Sequence, residues 1–417
     1  MEALALPRLT ATGHAPSRAA AMAATTTALL LAGFAIQMAV YAHGGHTAIS
    51  DLPRVYLHRG MGTGVVPYVD RVLEYPVGAG LLMFVAAQVA PSALGVFAVT
   101  ALGAAALCVA ITVALERHDG VRAWRWAIGV PVMLYAFQNW DVYAVALLLG
   151  GLFLFERRRD TTAGVARPRC RGEAVPRGGG AAARRARWQQ GDRRGAIRLV
   201  ASAGAVLLVL NLPFAFANFG GWRWAFTFQG ARQATWGSAE FYVLRLVGAS
   251  VHGATGSSLA NTASFVVMGV GLATITLLAL RRPVTAVGVA GAAVAVFLLT
   301  NKVFSPTYDL WLLAFFVLLP VSHRLWVAFC AVDAAVFVTV YGHFHWGVSS
   351  HVVHLVLPAL VAVRTCVLVA FTATALRTRA TDPQSVKKPP SGWMSSPVKY
   401  DASSDARKAT ALAISEG

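Results

Sequence analysis

Charge is scarce in this chain. Only 13% of its 417 residues are Asp, Glu, Lys or Arg, about half the share of a soluble globular domain. Acids are the rarer sign, 18 against 36 Lys and Arg, and four of the five lysines lie beyond residue 386. The four cysteines (Cys108, Cys170, Cys330, Cys366) stand singly. With no CxxC pair they build no disulfide framework and read as inert helix residues. No stretch alternates like a strand, and no Gly-rich loop is placed to cradle a phosphate. This argues against a nucleotide fold and a nucleotide-sugar donor, and a lipid-linked donor fits better.

Apolar length is what the chain has. Hydrophobic residues make up 57% of it and the mean hydropathy is +0.59. Apolar segments fall at 21–41, 76–90, 93–115, 124–137, 140–155, 199–217, 259–280, 284–300, 309–320, 324–341 and 351–376. Runs near 20 residues match the bilayer, so the fold class is an all-α polytopic membrane protein. The first run follows Arg8 and Arg18, is too long for a signal-peptide core, and reads as a retained span.

The net charge of +18 points away from nucleic acid, because the positive residues sit between apolar runs, where they orient membrane helices. Residues 156–198 alone hold 13 Arg against 4 acids. If segment 76–90 lies at the outer interface rather than crossing, every basic loop falls on the cytoplasmic side. The expected architecture is then a cytoplasmic tail (1–20), a transmembrane domain of about ten spans (21–376) and a disordered cytoplasmic tail (377–417). Its first outer loop, 42–92, carries interfacial helices.

The outer loops concentrate polar chemistry. Loop one holds Ser50-Asp51-Leu52-Pro53-Arg54-Val55-Tyr56, then Val66-Pro67-Tyr68 and Glu74-Tyr75-Pro76. Further along come Asn139-Trp140-Asp141, Asn218-Phe219-Gly220-Gly221-Trp222 and Asn301-Lys302-Val303-Phe304-Ser305-Pro306-Thr307-Tyr308. Lys302 is a lone lysine on the side that positive charge avoids, and a bound anion such as a lipid phosphate is the simplest reason for it.

These blocks, in this order over roughly residues 25–375, resemble the polyprenyl-phosphate-sugar-dependent glycosyltransferases of the GT-C superfamily, in particular the mannosyltransferase-like glycosyltransferase family 87. The resemblance implies a GT-C-type fold and a metal-independent, cofactor-free transferase. It implies a polyprenyl-phosphate sugar donor, usually mannose, and a glycolipid or polysaccharide acceptor at the outer face of the plasma membrane. It also implies that Asp51, the acid early in the first outer loop, is the catalytic base. Glu74, Tyr75, Asn139, Asp141, Trp222 and Tyr308 lie in the matching blocks as candidate substrate contacts.

The chemistry leads to the same residue types. Transfer from a polyprenyl phosphate needs a base for the acceptor hydroxyl and cations for the departing phosphate. Asp51 follows the first span at the water–lipid boundary, with Glu74 and Asp141 as alternative carboxylates. Lys302, Arg232 and Arg59 are the phosphate candidates, and His343 or His345 can donate to a phosphate or hydroxyl. Two His at i and i+2 without a nearby carboxylate make no zinc site. Plainer roles stand beside these: helix capping for Asp141 and Asp309, an aromatic belt for the tryptophans, and an internal polar partner for Asp333.

The stretch 160–190 has no amphipathic period and is rich in Arg, Gly, Ala and Pro. One reading is a disordered cytoplasmic loop against anionic headgroups. The other is a compensated frameshift over about 165–187. There, Glu173-Ala174-Val175-Pro176 admits codons that encode Lys-Leu-Tyr-Pro, a block of the resembled family, one base on. Translating the gene in the neighbouring frame decides between them. Two other functional classes remain open: a lipid or glycan transporter, and a transferase-derived scaffold without activity.

Overall fold

A computed structural model of the chain describes residues 17–44, 50–165, 204–282 and 284–379. The frameshift reading and the tail beyond 379 lie outside the described residues. Contacts divide the chain into residues 1–378 and 379–417, and every helix below belongs to the first unit.

The described chain is helical, with no strand among the described residues; Pro67 and Arg71 form an isolated bridge. Helices α1 (Arg18–Gly44) and α4 (Ala93–Asp119) pack together. They are joined by the Arg18–Glu116 ion pair (2.7 Å) and by a buried Thr26–Thr112 hydroxyl contact (2.9 Å). The 42–92 loop, expected at the outer face, contains α2 (Asp51–Arg59) and α3 (Val77–Val89). After α4 the chain turns through α5 (Trp124–Ala127) and α6 (Val130–Tyr135) into α7 (Asp141–Val165). Then come α8 (Gly204–Ala217) and α9 (Phe219–Ala231), bent by 117° at their junction, and α10 (Ala239–Leu246). The last five helices are α11 (Gly253–Arg281), α12 (Ala286–Thr300), α13 (Asp309–Leu318), α14 (His323–His345) and α15 (Ser350–Arg377). Ser and Thr hydroxyls or Asn amides cap many of them: Ser92, Asn218, Ser238, Thr285, Ser322 and Ser349 each accept an N–H from the following turn.

Five of these helices are long and apolar enough to cross a bilayer, or six if the bent α8–α9 pair is one span. Helix α11 shows why the surrounding solvent is lipid: Phe265, Val270 and Leu280 are 67%, 62% and 74% exposed on it. The chain is a multi-pass membrane protein. Against about ten expected spans, residues 77–89, 141–155, 286–300 and 306–318 are apolar helices of 10–17 residues, shorter than the roughly 20 that cross hydrocarbon unaided. Segment 124–137, expected as one span, is broken into α5 and α6. Gly129 separates them at a point where a side chain would strike Leu313 and the Arg125 carbonyl, and Pro131 starts the second piece. Loop 218–258 is mostly helix, as α9 and α10.

Helix α13 is the axis. Leu310 and every residue from Leu312 to Val317 are at most 1% exposed, and α13 packs against α4, α5, α6, α7 and α12. A helix apolar all round belongs in a centre, and it carries the preceding turn, 301–308, with it. The capping role expected for Asp309 fails for the same reason. Asp309 is fully buried, Tyr308 holds the N-cap position without a side-chain cap, and the Asp309 carboxyl faces that of Asp333 instead. Asp333 on α14 does find the expected internal partner, accepting from the Tyr135 hydroxyl at 2.8 Å.

Candidate functional site

Asp51 opens α2, and two bonds fix its position. Its backbone N–H (2.8 Å) and the Ser50 hydroxyl (3.1 Å) both donate to the Gln138 carbonyl, which ties loop one to the α6–α7 turn. Ser50 also accepts from Leu52 N–H, and Pro53 sits in the first helical turn, where a missing N–H is harmless. The Asp51 carboxylate then receives two donors. Arg54 Nη2 reaches Oδ1 at 2.7 Å and the Tyr75 hydroxyl reaches Oδ2 at 2.6 Å. The carboxylate is oriented on both oxygens yet its side chain remains 34% exposed, open to a ligand. Burial, and next the charge of Asp51, push the Tyr75 phenol well above its ordinary value, so it stays a donor.

The segment that presents Tyr75 is anchored from several sides. Tyr68 holds φ +68°, a left-handed conformation that non-glycine residues seldom adopt. Its N–H donates to Arg71 O at 2.7 Å, and its hydroxyl lies 2.8 Å from the carbonyls of both Tyr75 and Pro76. Helix α9 closes on this loop: Asn218 donates to Val69 O, Gln229 to Glu74 O, and Gly221 backs directly onto the Tyr68 carbonyl. Arg59 completes the clasp, bonded to Glu74 at 2.8 Å with its guanidinium 4.7 Å from the Trp224 ring. Arg59 and Glu74 thus neutralise each other within the scaffold.

The second wall comes from the 138–141 turn and the 301–311 segment. Asn139 accepts from Asp141 N–H (2.8 Å) and donates to the Thr307 hydroxyl (3.2 Å). Asp141 is buried, its Oδ1 accepting the Trp311 indole N–H (2.9 Å), while its Oδ2 has no partner among the described residues. Asp141 therefore does not cap α7 with its own side chain. Tyr75 packs edge-on against Trp140 at 4.8 Å, and Tyr341 donates to Gln138 Oε1 at 2.7 Å. Burial pushes the Tyr308 phenol up to about 12; the charge of Asp141 adds to this, Arg232 opposes it and Asp51 adds to it more weakly. Those four residues share one electrostatic neighbourhood.

Lys302 is buried at 6% exposure and donates to the carbonyls of Gly230 (3.0 Å) and Arg232 (2.5 Å), at the end of α9. Its neighbour is a helix C-terminus, which carries negative partial charge as an anion would. Burial, reinforced by Arg232, lowers its pKa, and Glu240 works the other way. Arg232 contacts Gln229 at 3.4 Å. His343 bonds the Val348 carbonyl at 2.7 Å, His345 lies parallel to Tyr341 at 6.5 Å, and Trp222 donates to Asn211 while packing between Phe219 and Phe226. Among these, His345 approaches the Asp51 region through Tyr341. His343 sits beside Trp236 at 6.4 Å.

Sequence reasoning passed over the supporting roles of Tyr341, Trp311 and Tyr68. The only local signal was for Tyr68, a bulky residue followed by Asp70 in a Pro-flanked turn. No three His, Cys, Asp or Glu side chains among the described residues converge on a common metal position. The chain matches no protein-family model, no curated protein and no solved structure.

Proposed function

We propose that the protein is an integral-membrane glycosyltransferase that moves a hexose, mannose in the first instance, from a polyprenyl-phosphate donor to a cell-envelope acceptor. The observation that carries the reading is Asp51: an accessible carboxylate in the first outer loop, oriented by Arg54 and Tyr75. In the proposed step Asp51 takes the acceptor hydroxyl proton. The acceptor oxygen bonds the anomeric carbon as the carbon–oxygen bond to phosphate breaks, the bonding pair leaves with the phosphate, and configuration inverts. Arg232 and the third ammonium proton of Lys302 supply positive charge for the phosphate, and Arg54 adds to it at the carboxylate. Asn139, Asp141 and Tyr308 line the acceptor side. The GT-C-type arrangement of about ten spans, the plasma-membrane setting and the outward-facing site belong to the same proposal.

A second reading has one observation in its favour. Asp333 and Arg364 lie deep in spans, are at most 2% exposed, and both meet buried Asp309, with Asp333 hydrogen-bonded to it. Ionisable groups inside a bundle are common in transporters. Purified protein incubated with radiolabelled polyprenyl-phosphate mannose and envelope extract separates the two. Label transferred to acceptor supports the enzyme; uptake into proteoliposomes with no transfer supports transport and overturns it.

A further inference from the structure

Away from Asp51, a cavity of about 640 Å³ opens between α10 and the first turns of α15. Its size suits a ligand rather than a few waters. It lies between two small packed clusters, one around Phe241, Leu244 and Val251 and one around Val353 and Leu357, separate from the main core that holds Leu52 and Trp140.

The lining divides by chemistry. Trp236, Phe241 and Tyr242 give aromatic walls, and Val353, Leu357 and Pro358 an apolar floor. Arg245, His252 and His354 are the titratable cationic groups at it, and the lining contains no Asp or Glu. Arg245 makes no ion pair among the described residues; its guanidinium stands 5.7 Å from the Phe241 ring. His252 approaches Gln233 through Nδ1 (3.2 Å), which leaves Nε2 available. An unpaired guanidinium with two imidazoles and no carboxylate selects an anion.

The flanks specify the rest of the ligand. Leu246, Val247 and Leu355, each next to a lining residue or its neighbour, are 87%, 70% and 70% exposed. Cavity and flanks sit where α11 and α15 both begin, so they share one bilayer interface. We propose that this cavity binds the phosphodiester headgroup of an anionic bilayer phospholipid, with its acyl chains along Leu246, Val247 and Leu355. The proposal is independent of glycosyl transfer, since none of these residues belongs to the Asp51 cluster.

The test is lipid binding to the purified full chain in non-ionic detergent, read by native mass spectrometry. The probes are phosphatidylglycerol, phosphatidylcholine with the same chains, sn-glycerol 3-phosphate and a polyprenyl phosphate. Phosphatidylglycerol should bind about 10-fold or more tightly than phosphatidylcholine, and Arg245→Gln should remove most of that difference. His354→Gln should weaken it less, and Leu355→Asn should weaken both phospholipids. If Arg245→Gln does not fold, His354→Gln and the loss of the preference in high salt carry the test. Equal affinity for the two phospholipids overturns the proposal, as does an unchanged preference in a folded Arg245→Gln. Binding of glycerol phosphate as tight as the lipid would make this a soluble-anion site instead. Displacement by stoichiometric polyprenyl phosphate would assign it to the donor.

Discussion

At the scale of single residues the Asp51 cluster divides labour between an exposed acid and a buried one. Asp51 keeps one face open while Arg54 and Tyr75 fix its oxygens. Asp141 is enclosed and held by Trp311. In the proposed step only the first is open to receive a proton from an incoming hydroxyl. Tyr75 is then a positioning residue, and Tyr75→Phe removes one hydrogen bond to a charged group with little change in shape. Such a bond contributes about 1.5–3 kcal/mol, so turnover should fall roughly 10–100-fold with donor KM nearly unchanged. Equal turnover in the variant would detach Tyr75 from the site. Little of this was legible beforehand. Tyr75 and Asp51 are 24 positions apart, Trp311 and Asp141 170, Tyr341 and Gln138 203. A sequence lists such residues without saying which loops fold onto which. Lys302 shows a different limit. A lone outer cation calls for a negative partner, and both a lipid phosphate and the carbonyl end of α9 satisfy that; only the fold shows the carbonyls.

At the scale of elements, α9 is the brace of the first outer loop. Gly221 allows its backbone to touch the Tyr68 carbonyl, and a Cβ there would overlap it. Gly221→Ala should force α9 away and destabilise the protein by about 1–3 kcal/mol, read as a lowered Tm in detergent. Gly220→Ala, whose Cβ meets only Asn218 Oδ1 at 3.5 Å, should be near neutral. Equal Tm for the two would mean that α9 does not lean on the loop. A second link joins α10 to α11, where Ser264 donates to Glu240 at 2.5 Å. Burial raises the Glu240 pKa above its ordinary 4.5, and the Ser264 bond and Lys302 charge only partly offset it. The folded state therefore disfavours the ionised acid. Below pH 4.5 both states are protonated and no penalty exists; it grows as pH rises from there through the raised folded value. Glu240→Gln should gain Tm relative to the parent between pH 4 and pH 7. A constant difference across that range would contradict the shift. The long helices α1, α4, α11, α14 and α15 were legible to within a few residues, because unbroken apolar length is a local property. The break at Gly129 was not, since its cause is contact with Leu313, 184 positions away.

At the scale of the whole molecule, the helices pack around α13, and the proposal puts the end that carries the 301–308 turn and the 42–92 loop outside, as the positive-inside rule expects. In a cysteine-free background, Ser250→Cys should react with a membrane-impermeant maleimide in intact cells, and Arg282→Cys only after lysis, because α11 separates them. The reverse pattern would invert the topology and put the Asp51 end in the cytoplasm. The proposed transfer turns on base catalysis by Asp51. Its most direct measurement is the turnover of purified Asp51→Asn with polyprenyl-phosphate mannose and envelope acceptor, beside the parent protein, with donor binding measured separately. Asparagine keeps the size of the side chain and an acceptor for Tyr75 but cannot take a proton. Removing a positioned base lowers rates by about 10²–10⁴-fold, so turnover should drop by that factor while donor affinity stays within about twofold. An Asp51→Asn protein that transfers sugar at the parent's rate would contradict the account.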